Sequence, residues 1–415
     1  MKILEINTVC DKGSTGRIAA GVARCASAAG HEVFFAYGRG NHPEDICGYR
    51  IGNPIDFACH VLINFFGGKS GFGSRFVTRK FLKWVDGIQP DVIHLHNLHG
   101  FYIHVGILFD YIKKKGIPVI WTLHDCWPFT GQCAHFDYAG CERWREGCHD
   151  CPIYRTDYPY SLFSDSSRQN YLVKKSLFTC VNTMVVVTPS MWLEKLVRES
   201  FLKDYEVRTI NNGIDLSRFK VIDANSQELL SLRLKCKILP TDKVVLGVAN
   251  VWNKKKGLNT FIELAEKLEN DYVIVLVGLS GLAKRRVNIV KSDRIVGIAH
   301  TESIDELVMW YNIADVFVNP TLEDNFPTTN IEALACGTSV ITYDTGGSPE
   351  IIDSNTGVVV EKGNVTQLAK AIKEVCEKGK KTKEQYCLNR SKEYDSRPRY
   401  LEYIELIEKM EVNAL

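Results

Sequence analysis

A chain of 415 residues, 45% of them hydrophobic and 24% charged, can bury substantial cores, and its length fits two or three domains. A net charge of +2 lacks the strongly basic footprint of a dedicated nucleic-acid binder, and no run of about 18 apolar residues offers a membrane-spanning helix. The 14 cysteines read as reduced thiols or metal ligands: the N-terminus enters a strand at once and lacks the apolar core of a signal peptide, so a cytoplasmic location is expected.

The first segment, KILEINTVCDKGSTGRIAAGVARCASAAGHEVFFAYG, runs strand, Gly-containing loop, helix and strand, the rhythm of a Rossmann-like unit. Gly13 and Gly16 let the backbone approach a ligand, and Ser14 or Thr15 can cap the following helix. The spacing is not the dinucleotide pattern. Residues 53–87 read as helical, with Arg75, Arg79, Lys80 and Lys83 interleaved among Phe76, Phe81, Trp84 and Val85. Such a mixture can touch an anionic bilayer such as the inner membrane, or can pack on a core with one solvated face. The second reading is favoured.

Next, DVIHLHNLHG reads as a buried strand ending in His94, His96, Asn97 and His99. No carboxylate or cysteine nearby in sequence completes a metal site with these histidines. A helix from Ile103 to Lys115 and the strand VIWTLHD follow, and His124 ends that strand where open α/β sheets place functional groups. Five cysteines and two histidines then fall within 26 residues. Cys148 and Cys151 form a CxxC pair preceded by Cys133 and Cys141. Four such thiolates suit a tetrahedral structural zinc site, and packed free thiols are the alternative.

A helix (Asp165 to Thr179), the strand TMVVVTPS and a short helix from Met191 lead to VRTINNGIDLSRF, where Gly213 permits a turn that Asn212 or Asp215 can anchor. VVLGVANVWNKKKGLNTFIELAEKL reopens the pattern, and lysines 254, 255 and 256 just before a helix suit a diphosphate. The strands YVIVLVG and RIVGI and a helix from Ser303 continue the alternation. In VNPTLEDNFPTTNIEALACGTSVITYDTGGSPEIID a strand breaks into an acidic loop, and a helix starts with Thr328 or Thr329 as N-cap. Asp324 and Glu332 can face one crevice at the carboxyl ends of parallel strands. Carboxylates for hydroxyls and a helix end for phosphate suggest a nucleotide-sugar site.

This last stretch resembles the signature of family 4 glycosyltransferases, retaining enzymes of the GT-B fold, in which seven residues separate two acidic ones. Asp324 stands where the family usually has Glu, and Asn325-Phe326-Pro327 where it usually has Gly-Phe-Gly. The resemblance implies an α/β chain of two Rossmann-like domains with parallel sheets facing a cleft. These would be an acceptor domain over 1–200 carrying a Cys-rich loop (124–160), a donor domain over 206–395, and a helix over 396–415 packing back on the first. It also implies that Asp324 binds sugar hydroxyls, Glu332 the ribose, and His124 the sugar. The loop of Gly13 and Gly16 would lie near the donor phosphates and the acceptor, and Asn212 belongs to the interdomain signature. Lys256 would bind phosphate together with the helix N-terminus at Thr328. Asn250 or Val251 stands where the family has an upstream Arg, and Val296 to Ile298 would lie near the base.

The Cys-rich segment resembles a subgroup acting in colanic-acid and O-antigen synthesis. The function so implied is retaining transfer from a nucleotide sugar to a lipid-linked saccharide, with no cofactor for catalysis and a structural zinc as a candidate. The alternatives are a GT-B nucleotide-sugar epimerase and a non-catalytic zinc-binding protein.

Overall fold

The computed structural model describes residues 1–290 and 294–412. The chain divides into two compact units, Met1–Asn212 joined by the C-terminal segment from Arg397, and Gly213–Ser396.

The first unit is built on seven parallel strands: β1 (Lys2–Val9), β2 (Glu32–Arg39), β3 (Cys47–Arg50), β4 (Val92–Leu95), β5 (Val119–Thr122), β6 (Met184–Thr188) and β7 (Glu206–Thr209), in the order β3-β2-β1-β4-β5-β6-β7. The alternation of side chains along β1 sends Leu4 and Ile6 to a core with Phe81, Val85 and Phe109, and Ile3 to the other face. There Ile3 meets Val22 of the helix Gly13–Ala28 and Ile404 and Ile407 of the helix Ser396–Val412. The order reverses direction between β1 and β4, which makes the carboxyl ends of these strands the crevice of this sheet.

The second unit has six parallel strands: β8 (Lys243–Val248), β9 (Tyr272–Val277), β10 (Ile295–Ile298), β11 (Val316–Asn319), β12 (Val340–Tyr343) and β13 (Gly357–Val360), in the order β10-β9-β8-β11-β12-β13. Its switch lies between β8 and β11, so the loops leaving those two strands flank the crevice. The near-continuous apolar runs of these strands follow from helices covering both faces of the sheet.

Several sequence expectations change. Residues 53–87 form two helices, Pro54–Gly67 and Arg75–Ile88. Asn53 caps the first, and Gly68 in the left-handed conformation ends it. Ser14 and Thr15 do not cap the first long helix, which begins at Gly13 with Lys12 as its N-cap. The strands β3 and β7 did not stand out in sequence. Both are four residues long and only partly buried, so neither carries a long apolar run.

Candidate functional site: two strand-end crevices

In the second unit, the loops after β8 and β11 are stitched together across the switch point. Leu322 donates its backbone N–H to the Lys255 carbonyl at 2.7 Å, and the Thr321 hydroxyl reaches the same oxygen at 3.3 Å. Gly257 (φ +79°) makes this approach possible, since a Cβ there would lie 2.5 Å from the Pro320 carbonyl oxygen. Two ion pairs bridge the same loops, Lys255 Nζ to Glu323 Oε2 at 2.7 Å and Lys256 Nζ to Asp324 Oδ2 at 2.6 Å. Asp324 also accepts the N–H of Asn325 at 2.9 Å. Its loop is pressed from behind by Gly346 (φ +55°), where a Cβ would fall 1.8 Å from the Asp324 carbonyl oxygen.

The helix Thr328–Ala335 follows. Its N-cap is Pro327, and no side chain caps it. Thr328 and Thr329 therefore sit inside the first turn rather than at the cap. The extended backbone that proline holds before the first helical residue moves the boundary by one position. A helix start without a side-chain cap offers its first N–H groups and a positive partial charge to an anion. Glu332, one turn in, is buried and accepts the Tyr311 hydroxyl at 2.9 Å. Burial, and then the Glu332 carboxylate, raise the Tyr311 pKa well above normal, so it is a fixed donor. Asn325 and Phe326 are buried, and Phe326 packs edge-on to Tyr394.

Asn250 is exposed beside Val251 in the loop after β8. Val296 and Ile298 lie half-buried in the edge strand β10. The structure thus gathers Lys256, Asp324 and the Thr328 helix start around one switch point. It adds the Lys255–Glu323 pair, which sequence reasoning missed although adjacent lysines and adjacent acids both announce it.

In the first unit, Gly13 (φ +67°) opens the helix after β1, and Gly16 lets that helix pack on the end of the strand, where a Cβ would lie 3.0 Å from Val9 Cγ2. Asn212 is the last residue before the chain enters the second unit.

His94 and His96 are fully buried and bracket Glu5 of β1, with His94 Nδ1 3.0 Å from Oε1 and His96 Nε2 3.0 Å from Oε2. The carboxylate that the local sequence lacks comes from 89 residues upstream, because β1 and β4 pair with Glu5 opposite His94. The network continues from His96 Nδ1 to His124 Nε2 at 3.0 Å and from His94 Nε2 to Thr122 Oγ1 at 2.8 Å. With Glu5 ionised, both rings donate to it. His96 Nδ1 then accepts from His124 Nε2–H, which leaves His124 Nδ1 as an acceptor.

Burial pushes His94 and His96 down to about 3 and His124 down to about 4, and it raises Glu5. Nearby, His99 Nε2 contacts Asp125 Oδ2 at 2.8 Å. Burial raises the Asp125 pKa, but His99 outweighs it and holds the carboxyl at about 2. Glu5, His94 and His96 are the one trio among the described residues whose ligand-type atoms lie within 4.8 Å of one another. Hydrogen bonds within the network already satisfy them.

The helix Arg75–Ile88 buries Phe81 and Val85 and exposes Arg75, Arg79, Lys80 and Lys83, as expected of a helix packed on a core. Phe76 (77% exposed) is the large apolar side chain it leaves in solvent, and a wider apolar surface lies on the helix before it. Ile55, Leu62, Ile63 and Phe66 are exposed on one face of Pro54–Gly67, and Phe163 (65% exposed) stacks on Phe66 at 5.2 Å. No helix among the described residues is long and apolar enough to cross a membrane.

Residues 15–218 match the family model described as Glycosyltransferase Family 4, and residues 235–392 match Glycosyl transferases group 1. A protein of Escherichia coli K12 described as a colanic acid biosynthesis glycosyl transferase, WcaC, is 25% identical over 400 residues, covering 90% of each chain. The Staphylococcus aureus capsular polysaccharide biosynthesis glycosyltransferase CapM is 24% identical over 215 residues, 49% of this chain and 55% of CapM. Sucrose-phosphate synthase from Thermosynechococcus elongatus superposes with a TM-score of 0.73 at 16% identity, covering 99% of this chain and 98% of the other. HepE of Anabaena, in complex with UDP and glucose, superposes at 0.71 and 13% identity, covering 98% and 99%. With both of its parallel-sheet units matched in this way, the chain belongs to the family 4 glycosyltransferases of the GT-B fold.

Proposed function

We propose that this glycosyltransferase moves a sugar from a nucleotide-sugar donor, with retention of anomeric configuration, to a lipid-linked saccharide during synthesis of a bacterial surface polysaccharide such as colanic acid, capsule or O-antigen. The observation that carries the donor assignment is the crevice between β8 and β11. There Lys256, held by Asp324, lies in one flanking loop, and a helix start without a side-chain cap follows the other. A departing diphosphate gathers negative charge, and the Lys256 ammonium and the helix N–H groups stabilise it. Asp324 then exchanges part of its bond to Lys256 for sugar hydroxyls, and Glu332, oriented by Tyr311, accepts from the ribose.

Val296 and Ile298 flank the base, and Asn250, Asn325, Phe326 and Pro327 complete the donor loops. His124 supports the donor sugar. Gly13 and Gly16 keep the backbone close to the phosphates and acceptor, and Asn212 anchors the linker. No side chain in this set is an obvious nucleophile, which fits attack by the acceptor hydroxyl on the face the leaving group vacates. The charge to be neutralised is met by Lys256 and the helix end, so transfer is expected to proceed without a divalent metal.

The names of WcaC and CapM support the polysaccharide role, and the HepE complexes with UDP and UDP-glucose make a UDP-sugar the first donor to test. The exposed face of Pro54–Gly67, followed in sequence by the basic residues Lys69, Arg75, Arg79 and Lys80, supports peripheral contact with the cytoplasmic face of the inner membrane, where a lipid-linked acceptor would reside.

The test is incubation with labelled UDP-, GDP- and ADP-sugars and a bacterial lipid extract. Label should enter the lipid fraction, and the product should keep the donor's anomeric configuration by NMR. An inverted product would refute retention, and donor conversion without any acceptor would favour an epimerase.

A further inference from the structure

We propose that Cys133, Cys141, Cys148 and Cys151 hold one structural zinc ion that pins the long excursion between β5 and the helix Ser167–Phe178, with Lys174 as its buried countercharge. The four cysteines come from separate turns, and all four line one cavity with about 10 Å³ of free space, room for about one atom. Around it stand Phe136, Trp144 and Ile153, with Arg143 as a second cation and His149 at its edge. Backbone donors already aim at the sulfur positions: Gly131 N–H points to Cys148 Sγ at 3.1 Å. A thiolate bound to metal uses such a bond to spread its charge.

The independent observation is Lys174. It is fully buried, yet its ammonium contacts only the carbonyl oxygens of Trp127 (2.7 Å) and Thr130 (3.1 Å) and the Trp127 ring (3.5 Å). Among the described residues no carboxylate pairs with it. The Asp125 charge reaches it only from beyond ion-pair distance, and a buried cation so weakly compensated is costly. Four thiolates around Zn²⁺ carry a net charge of −2 and supply a counterion across the Thr130–Cys133 turn, where the Thr130 hydroxyl donates to the Cys133 carbonyl at 2.6 Å. On binding, four S–H bonds are lost, four Zn–S bonds form and four protons leave to solvent.

No three of the four sulfurs lie within 4.8 Å of one another, so closing a tetrahedral site draws the loop inward. That contraction should stabilise the first unit by closing the loop between Cys133 and Cys151 with metal–thiolate bonds.

The experiment is metal analysis of the full chain purified from zinc-containing medium under reducing conditions. About one zinc per chain is expected. Cys148→Ser should lose it, and Cys236→Ser, in the second unit, should retain it. If Cys148→Ser does not fold, wild-type protein stripped by a chelator and titrated with Co²⁺ should develop thiolate-to-cobalt charge-transfer absorption at one equivalent. Lys174→Met should weaken metal retention, and Lys174→Arg should restore it in part. Metal-free wild-type protein with no cobalt–thiolate absorption would overturn the assignment, as would zinc fully retained in Cys148→Ser. Neither result bears on the donor crevice, because nucleotide binding in the second unit is read separately.

Discussion

Lys256 and Glu332 each stand to make a charge-assisted hydrogen bond to a donor, worth about 1.5–3 kcal/mol. Lys256→Ala and Glu332→Gln are each expected to weaken donor binding about tenfold to a hundredfold. Tyr311→Phe should reproduce part of the Glu332 effect, because it removes the hydroxyl that orients the carboxylate. Calorimetry showing unchanged affinity in Glu332→Gln would remove that residue from the site.

The buried histidines make a second, pH-dependent claim. An unfolded histidine titrates near 6.5, whereas His94 and His96 are pushed to about 3 and His124 to about 4. Between about pH 6.5 and these lower values the unfolded chain binds more protons than the native one. The stability that the three neutral rings contribute is therefore complete above pH 6.5 and declines as pH falls through this window. Glu5, raised by burial, acts in the opposite sense but is one group against three. Urea unfolding of the first unit should have a lower midpoint at pH 5 than at pH 7. A midpoint that does not fall would show that the rings are protonated in the native state.

The elements divide into those that sequence reveals and those that it hides. Long apolar strands and amphipathic helices were legible from their periods, and the last helix, implied by the resemblance over 396–415, runs Ser396–Val412. At the β8/β11 crevice, the strand–loop–helix that carries Asp324 and Glu332 was legible from one contiguous stretch. What joins distant segments was not. Glu5 is a single charge inside the apolar strand KILEINTV, and its partners lie on β4. Only strand order brings them together. The cap at Pro327 was misplaced because threonine is a good N-cap in isolation, while proline fixes the preceding backbone.

The loop–loop contact at Gly346 also depends on tertiary approach. Gly346→Ala is expected to displace the Asp324 loop and weaken donor binding while the circular dichroism spectrum stays native. Gly116→Ala, at a similar positive φ but with no atom within 4 Å of the added carbon, should leave donor binding unchanged.

At the scale of the whole molecule, each unit gathers ionisable side chains where its own strand order reverses, Glu5 with His94 and His96 at β1/β4 and the Lys255–Glu323 and Lys256–Asp324 pairs at β8/β11. The first unit also carries the apolar face of Pro54–Gly67. Flotation with vesicles containing anionic lipid should recover the protein, less so at high salt. Leu62→Asp combined with Phe66→Asp should abolish recovery, whereas binding that survives this double change would remove the face from membrane contact.

The measurement that bears most directly on the proposed donor site is calorimetric titration of the full chain with UDP-, GDP- and ADP-sugars, alongside Lys256→Ala and Glu332→Gln. The expected result is selective binding of one base class by the wild type, weakened about tenfold or more in both variants. Failure of every nucleotide sugar to bind, or equal binding by wild type and both variants, would contradict the assignment of the β8/β11 crevice as the donor site.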